Sequence, residues 1–442
     1  MCSTRVGSAS LRDMRALDSS HHLPGLQRAE SDAQMRKCVR CGFCLSTCPT
    51  YELIGNEADS PRGRIALMQT MLATDVAPDR EAVGHIDRCL GCLSCKTTCP
   101  SGVDYESLLD RAREHIELTY RRPLLDRALR AGLLFTLTHP LVFRLGLAVG
   151  RKTRFMQGAF PAPLRRMLEL APRARASRAA PETVSPTATY RGRVILFEGC
   201  VQPTLRPEIN RATRRLLERN GVEVITIRGE GCCAALPAHL GRSEMAKALA
   251  RKNIIAWENA NVADVDAIIV TASGCVPTIA KYGALLGSEP EWASRAQAMA
   301  ALATELSVYL HKMGLNVPAR DRQLPRVAYQ AACSMQHALG IRSEPKALLE
   351  AAGFALNPVR EEHMCCGSAG IYSILQPDIS AQLRDRKTEA LIGSGADVVA
   401  SGNIGCITQL GSGALPVVHY AELLDWAAGG PCPPELTGSV WA

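Results

Sequence analysis

At 442 residues, with 47% hydrophobic and 21% charged side chains, the chain is long enough for two or three domains with their own cores and too apolar to be disordered. A formal charge of +8 and only 5% aromatics argue against a nucleic-acid module, which needs concentrated basic and stacking surfaces. The 18 cysteines are clustered, and Met1–Arg15 mixes Arg5, Arg12 and Asp13 with no apolar run, so metal or redox chemistry in the cytoplasm is expected rather than disulfide staples.

Residues 1–29 read as a flexible N-terminus and residues 30–120 as an α-helical ferredoxin domain. The latter carries Cys38-x-x-Cys41-x-x-Cys44-x-x-x-Cys48-Pro49 and Cys89-x-x-Cys92-x-x-Cys95-x-x-x-Cys99-Pro100. In this spacing the fourth cysteine of each run ligates the other cluster of a two-cluster ferredoxin. Three thiolates two residues apart wrap three corners of one cubane, and the proline turns the fourth away. The spacing thus assigns Cys38, Cys41, Cys44 and Cys99 to one [4Fe-4S] cluster, and Cys89, Cys92, Cys95 and Cys48 to the other. Zinc also suits C-x-x-C pairs, but it needs four ligands and has no use for the C-x3-C-P half. Asp59–Arg64 reads as a turn before a helix through Ile65–Leu72. The whole insert Pro49–Arg88 reads as helical, which points away from the small β-containing ferredoxins.

Residues 121–160 form an apolar helical hairpin, with two short helices kinked at Pro140. The core of this segment, Ala131–Gly150, is interrupted by His139, Pro140 and Arg144 and flanked by Arg127, Arg130, Arg151, Lys152 and Arg154. Two readings stand open, a hairpin buried between domains and a contact with a membrane surface or a quinone. Residues 161–190, rich in Ala, Arg and Pro, read as an exposed linker. Strand–helix alternation follows: strands at Val194–Phe197, Val222–Ile227 and Val265–Val270, helices at Arg206–Asn220 and His239–Glu258. This predicts α/β domains with mostly parallel strands. The half then repeats. Cys200, Cys232 and Cys233 recur 133 residues later as Cys333, Cys365 and Cys366, while Cys275 recurs 131 residues later as Cys406. The expected units are 191–320 and 321–430, with a tail at 431–442.

Adjacent cysteines resist a mutual disulfide, so each vicinal pair, joined by one cysteine before it and one after, reads as a convergent thiolate site at one end of the sheet. A bound cluster, a metal such as zinc, a dithiol redox pair and plain core cysteines all fit that pattern. Flavin and nicotinamide fingerprints are lacking: Gly393-Ser394-Gly395 begins G-x-G-x-x-G, but residue 398 is Val and the segment precedes a strand. His85, His115 and His139 read as structural.

The two halves resemble the cysteine-rich CCG domain of heterodisulfide-reductase-type proteins, with two departures. The first copy reads Cys232-Cys233-Ala234, and neither copy ends in C-x-x-C (Cys275-Val-Pro-Thr278, Cys406-Ile-Thr-Gln409). Four thiolates per copy remain of the family's five, which argues against the reductase chemistry itself. The whole arrangement is similar to the iron–sulfur subunits of bacterial glycolate oxidases (glycolate dehydrogenases). The residues that carry this are CVRCGFCLSTCPTY (38–51), SPRGRI (60–65), HIDRCLGCLSCKTTCPSGV (85–103), GCCAALPAHLGR (231–242), CCGSAGIYSILQP (365–377) and GNIGCITQL (402–410). The resemblance implies an electron relay with no catalytic residue of its own. It also implies two flavoprotein-type partner subunits that carry FAD and oxidise glycolate or D-lactate, and a quinone or other membrane acceptor. Peripheral contact with the cytoplasmic face of the inner membrane would follow. The rival readings are a relay for glycerol 3-phosphate or lactate dehydrogenases, a thiol–disulfide reductase, and a scaffold for flavin subunits.

Overall fold

The computed structural model describes residues 25–74, 76–171, 190–260, 264–315, 317 and 323–441. Most of the expected flexible N-terminus (1–24) and most of the expected linker (172–189) lie outside the described residues.

The cysteine-rich region is built from helices, chiefly Gly25–Arg36, Pro61–Thr74, Arg80–Asp87 and Tyr105–Thr119. Local chemistry sets their ends. Asp79 caps Arg80–Asp87 by accepting the Ala82 N–H at 2.7 Å, and Pro49 opens the short helix Pro49–Ile54 that left-handed Gly55 closes. Leu108, Ala112 and Ile116 recur at helical spacing and meet Ile65, Met68, Leu72 and Ile86 in one core. Among the described residues this region holds no strand, as expected for the α-helical kind of ferredoxin.

The hairpin consists of Leu124–Thr138 and Pro140–Thr153, bent by 110° at His139. No single helix among the described residues is long and apolar enough to cross a membrane; this bent pair passes by length and composition only. It is not simply buried, because Leu133, Leu134 and Phe143 face inward while Leu141 and Leu145 are exposed. The first residues of the expected linker are instead a helix, Ala162–Leu170. Met167 and Leu170 pack with Leu133, Ile371 and Ile374, and buried Arg166 donates to Gln409 Oε1 at 2.6 Å. Packing against both neighbours orders a stretch whose composition alone suggested coil.

Each half of the remainder is a four-stranded parallel sheet. The first comprises β1 (Gly192–Phe197), β2 (Val222–Ile225), β3 (Ala267–Val270) and β4 (Ala303–Glu305), in the order β2-β1-β3-β4. The second comprises β5 (Val327–Gln330), β6 (Leu356–Asn357), β7 (Val398–Ser401) and β8 (Val417–His419), in the order β6-β5-β7-β8. The matching order is the structural form of the sequence repeat. Runs such as Ala267–Val270 are wholly buried because helices cover both faces of a parallel sheet. The expected helix His239–Glu258 starts later, at Ser243, because left-handed Gly241 separates it from the short helix Ala235–His239.

One hydrophobic core runs through both sheets, joining Val194, Leu216 and Leu310 to Val327, Leu349, Val398 and Leu424. Polar ties reinforce the join. Arg215 and Arg219 converge on buried Asp425, each at 2.5 Å, and Tyr420 donates to Glu305 at 2.6 Å. Burial pushes the Glu305 carboxyl up to about 7 despite the donors Ser307 and Tyr420. A carboxyl raised above its unfolded value contributes fully below that unfolded value, and the contribution fades as pH rises through about 7. Glu305→Gln keeps an acceptor for Ser307 and removes the buried charge. It should raise stability at pH 8 by on the order of 1–3 kcal/mol and change little near pH 5. Denaturant midpoints at the two pH values check this; equal effects at both would contradict it.

Candidate electron-transfer site

The two cysteine loops are built alike. Arg40 and Gly42 flank Cys41, and Gly91 and Leu93 flank Cys92; all four have positive φ (56°, 88°, 66° and 63°). Left-handed residues at Arg40 and Leu93 are strained for side chains with a Cβ, a feature that concentrates at binding sites. Such turns aim successive backbone N–H groups inward, suiting an anionic group held between the sulfurs.

Cys48 caps the helix Pro49–Ile54 and Cys99 ends the helix Ser94–Thr98, so each fourth cysteine sits at a helix terminus away from its own loop. Cys48 lies within electrostatic reach of Cys92 and Cys95, and burial together with neighbouring Cys92, Cys89 and Cys48 pushes Cys95 well up. Cys38, Cys44 and Cys99 are half-buried against the same helical core, while Cys41 is exposed. Burial opposes ionisation of Cys89, yet the Arg64 and Arg113 guanidiniums, the Gly91 N–H at 3.5 Å and the Tyr105 hydroxyl at 3.6 Å hold it below a free thiol. One sulfur is thus biased towards the thiolate, the form that binds metal. Arg64 is anchored by Asp59 at 3.3 Å and the His85 carbonyl at 2.8 Å, and reaches Cys48 Sγ at 4.0 Å. Sequence reasoning missed Arg64, Arg113 and Tyr105 as partners of the cysteines, although Arg64 lies within the SPRGRI segment. The three histidines are structural: His85 pairs with Asp59 at 3.0 Å, and His115 and His139 donate to the carbonyls of Val76 and Phe135.

The eight thiols of the two loops supply four donors for each of two groups, a donor set that fits a pair of [4Fe-4S] clusters.

In the duplicated half, each quartet forms at the C-terminal end of its sheet, where doubly wound folds place ligands. Sulfur contacts run Cys200–Cys232–Cys233–Cys275 in the first copy and Cys333–Cys365–Cys366–Cys406 in the second, with Cys366 Sγ 3.0 Å from Cys406 Sγ. Hydrogen bonds from Cys200 and Cys233 push Cys232 well down, whereas hydrogen bonding among the sulfurs, followed by burial, leaves Cys333, Cys365 and Cys366 pushed up. The departure from C-C-G in the first copy leaves the backbone unchanged: Ala234 has φ +73° and Gly367 has φ +81°. Space differs, however. A Cβ on Gly367 would lie 2.6 Å from the Ser380 carbonyl oxygen. The copies differ in charge as well. In the first, Asn253 donates to the Cys232 carbonyl at 3.0 Å; on the corresponding helix of the second, buried Lys387 donates to the carbonyls of Glu361 and Glu362 at 2.9 and 3.2 Å. Nearby Cys366, Cys365 and Cys406 help that ammonium keep its proton against burial, which lowers its pKa.

Packing joins the two kinds of cysteine. Leu90 and Cys92 share a cluster with Cys333, Cys365 and Tyr372. Tyr372 donates to the Arg88 carbonyl at 2.9 Å, and Thr97 meets His337 Nδ1 at 2.9 Å. A cavity of about 550 Å³ lies beside this contact. Cysteines of both quartets and Cys92 line one side, the hairpin residues Leu133, Leu137, Phe143 and Leu147 the other, and Arg130 with Asp87 forms a polar end. An apolar cavity with a few convergent polar groups is the usual form of a small-molecule site.

A 4Fe-4S dicluster fold followed by two thiolate-bearing α/β domains defines an iron–sulfur electron-transfer protein. The 4Fe-4S dicluster domain model matches residues 34–103, and the cysteine-rich CCG domain model matches residues 194–280 and 327–411. The glycolate oxidase iron–sulfur subunit of Escherichia coli (strain K12) is 40% identical over 90% of this chain and 95% of that protein. The probable glycolate oxidase iron–sulfur subunit of Bacillus subtilis (strain 168) is 33% identical, also over 90% of this chain and 95% of that protein. Lactate utilization protein A of Exiguobacterium sp. matches 52% of this chain and 96% of its own length at 32% identity. A crystal structure of a hypothetical protein from Helicobacter pylori shares the fold alone, with TM-score 0.56, 10% identity, and coverage of 94% of this chain and 75% of that chain. The chain belongs to the family of glycolate oxidase iron–sulfur subunits.

The αL positions of the two quartets should respond differently to substitution. Gly367→Ala adds left-handed strain to a clash with Ser380 and should cost more than about 2 kcal/mol. Ala234→Gly relieves strain while freeing the unfolded chain, and should change stability by less than about 1 kcal/mol. Thermal or denaturant unfolding of both variants checks the contrast; similar losses would contradict the geometry.

Proposed function

We propose that this chain is the electron-transfer subunit of a multi-subunit glycolate dehydrogenase. It receives electrons from two partner flavoproteins, which hold FAD and oxidise glycolate to glyoxylate and, by the same chemistry, D-lactate to pyruvate. It delivers them to a quinone-type acceptor, at the cytoplasmic face of the inner membrane. The reading is supported above all by the packing of Cys92 against Cys333 and Cys365, which makes a continuous line of sulfur from the ferredoxin loops to the apolar cavity.

Cys38, Cys41, Cys44 and Cys99 would hold one [4Fe-4S] cluster, and Cys89, Cys92, Cys95 and Cys48 the other. When bound, these clusters supply one-electron storage that no side chain offers, so a two-electron donor and a two-electron acceptor can be coupled. The chain's own residues set the conditions. Arg64 and Arg113 favour the ionised form of Cys89 against its burial, and exposed Val39, Cys41 and Phe43, with Arg36, Lys37 and Arg40 close by in the chain, offer an entry face to an acidic partner. At the other end, the largely apolar lining suits an apolar acceptor, with Arg130, paired with Asp87 and Asp126, among its polar residues. The oxidation releases two electrons and two protons, which the quinone takes up to become a quinol.

The 3.0 Å separation of Cys366 and Cys406 favours one second reading, a dithiol–disulfide couple in the second copy. Both readings meet in one experiment: EPR of the complex co-purified without oxygen, before and after glycolate, with dithionite as reference. Reduction of the clusters by glycolate supports the relay and its substrate. Signals with dithionite but none with glycolate would falsify the substrate assignment and make D-lactate and glycerol 3-phosphate the next to try. A thiol–disulfide reductase instead keeps its activity without flavoprotein subunits and loses it on Cys366→Ser. Cys48→Ser should remove the signal of one cluster and about half the iron while the other signal persists; loss of neither would refute the crossed ligand assignment.

A further inference from the structure

Charge is distributed very unevenly along this chain. Counted by sequence, residues 121–165 hold nine Lys and Arg, of which Arg122 and Arg130 are taken up by buried pairs with Asp87, against the single carboxylate of Asp126, a local formal charge of +8. That equals the formal charge of the whole chain, whose 51 basic and 43 acidic residues balance at 42 each outside this segment. Apolar exposure concentrates in the same place. Among the described residues, 8 of the 17 exposed large hydrophobic side chains fall between Leu124 and Leu164.

The two faces of the second hairpin helix have different environments. Leu141, Leu145 and Val149 recur every four residues and form an outward stripe, 77%, 66% and 54% exposed. Phe143 and Leu147, from the other side of that helix, line the cavity. Leu124, Leu125, Phe135 and Phe155 are likewise exposed, and Arg127, Arg144 and Lys152 are exposed among them.

We propose that this face rests on an anionic lipid surface. Its apolar side chains enter the boundary between headgroups and acyl chains, and the basic side chains reach back to lipid phosphates. The 110° bend between the helices suits a wedge lying in the interface rather than a straight span. Lipid is favoured over an acidic protein because the helices that carry the outward stripe also wall the apolar cavity, so a single element separates the site of an apolar acceptor from the phase in which such an acceptor dissolves. The inference rests on the reading of that cavity as the exit to a quinone-type acceptor.

The test is flotation of the full complex with vesicles of phosphatidylcholine, with and without phosphatidylglycerol. The wild type should float with phosphatidylglycerol vesicles, less so as salt rises, and only weakly with phosphatidylcholine alone. Leu141→Glu with Leu145→Glu, both on the outward stripe, should weaken binding at least about ten-fold. Arg144→Glu with Lys152→Glu should do the same without touching the apolar stripe, and circular dichroism checks that each variant folds. Reduction of a vesicle-borne quinone should fall in parallel, while reduction of a water-soluble dye stays unchanged.

Absence of vesicle binding, or equal binding by wild type and both variants, overturns the proposal. So does loss of the flavoprotein subunits from either variant in lipid-free buffer, which would make this face a protein interface. Glycolate-reduced clusters without vesicle binding would leave the relay standing and sink the docking. Vesicle binding that the variants abolish, with quinone reduction unaffected, would uphold the docking and sink the acceptor reading.

Discussion

A buried guanidinium beneath the cysteine loops holds the surrounding structure together. Arg64 is 1% exposed, and a charge so enclosed costs several kcal/mol unless it is compensated on every side. Asp59, itself fully buried, faces it and also receives Arg88 at 2.6 Å; the His85 carbonyl and the sulfurs of Cys48 and Cys89 supply the remaining negative character. The compensation is mutual. Without Arg64, Cys89 would lose the strongest of the influences that oppose the effect of its burial. The insert between the cysteine runs is therefore part of the site, since it brings Asp59, Arg64 and His85 beneath the loops. From Arg88 the connection continues outward, because its carbonyl takes the Tyr372 hydroxyl and fixes the second α/β domain against Cys92.

The duplication serves a related purpose. Two sheets of the same order, sharing one core, bring eight thiols towards a common cavity, and the helices Leu124–Thr138, Pro140–Thr153 and Ala162–Leu170 close its apolar side. The halves have not stayed equivalent. The second combines a glycine that has no room for a Cβ with the buried ammonium of Lys387, and Cys92 packs against its quartet. The first has Ala234 and the neutral Asn253 in the matching places. Charge compensation and proximity to the ferredoxin loops thus coincide in one copy.

The cysteine spacing made the dicluster domain legible, because covalent reach over two or three residues is a local property. The α/β repeat was legible for a similar reason: short apolar runs alternate with amphipathic helices, and the sulfur markers keep a nearly constant period. What escaped depends on tertiary contact. An alanine at Ala234 gives no hint of a left-handed backbone, and a lysine on a helix ordinarily signals solvent rather than the carbonyls of Glu361 and Glu362. Arg166 sits at the edge of a stretch whose composition suggests coil, yet a glutamine 243 residues away orders it. The hairpin illustrates the same limit, since its kink was readable at Pro140 but the division into inward and outward faces depends on neighbours distant in the chain.

The unequal burial of the two cysteine loops bears on how the molecule ages in air. Cys41 is exposed beside Phe43, whereas Cys89 and Cys95 are buried. Oxidation of sulfur follows exposure and thiolate character, so oxygen and peroxide reach the outer loop first. Damage would begin at the face that the proposed role gives to electron entry, and would spare the inner loop and the cavity. On that role, a partly oxidised preparation would contain molecules that still fold and still take electrons from a strong chemical reductant, yet no longer from a protein donor docked at the outer loop. The order of loss is set by solvent access and not by the intrinsic fragility of either loop.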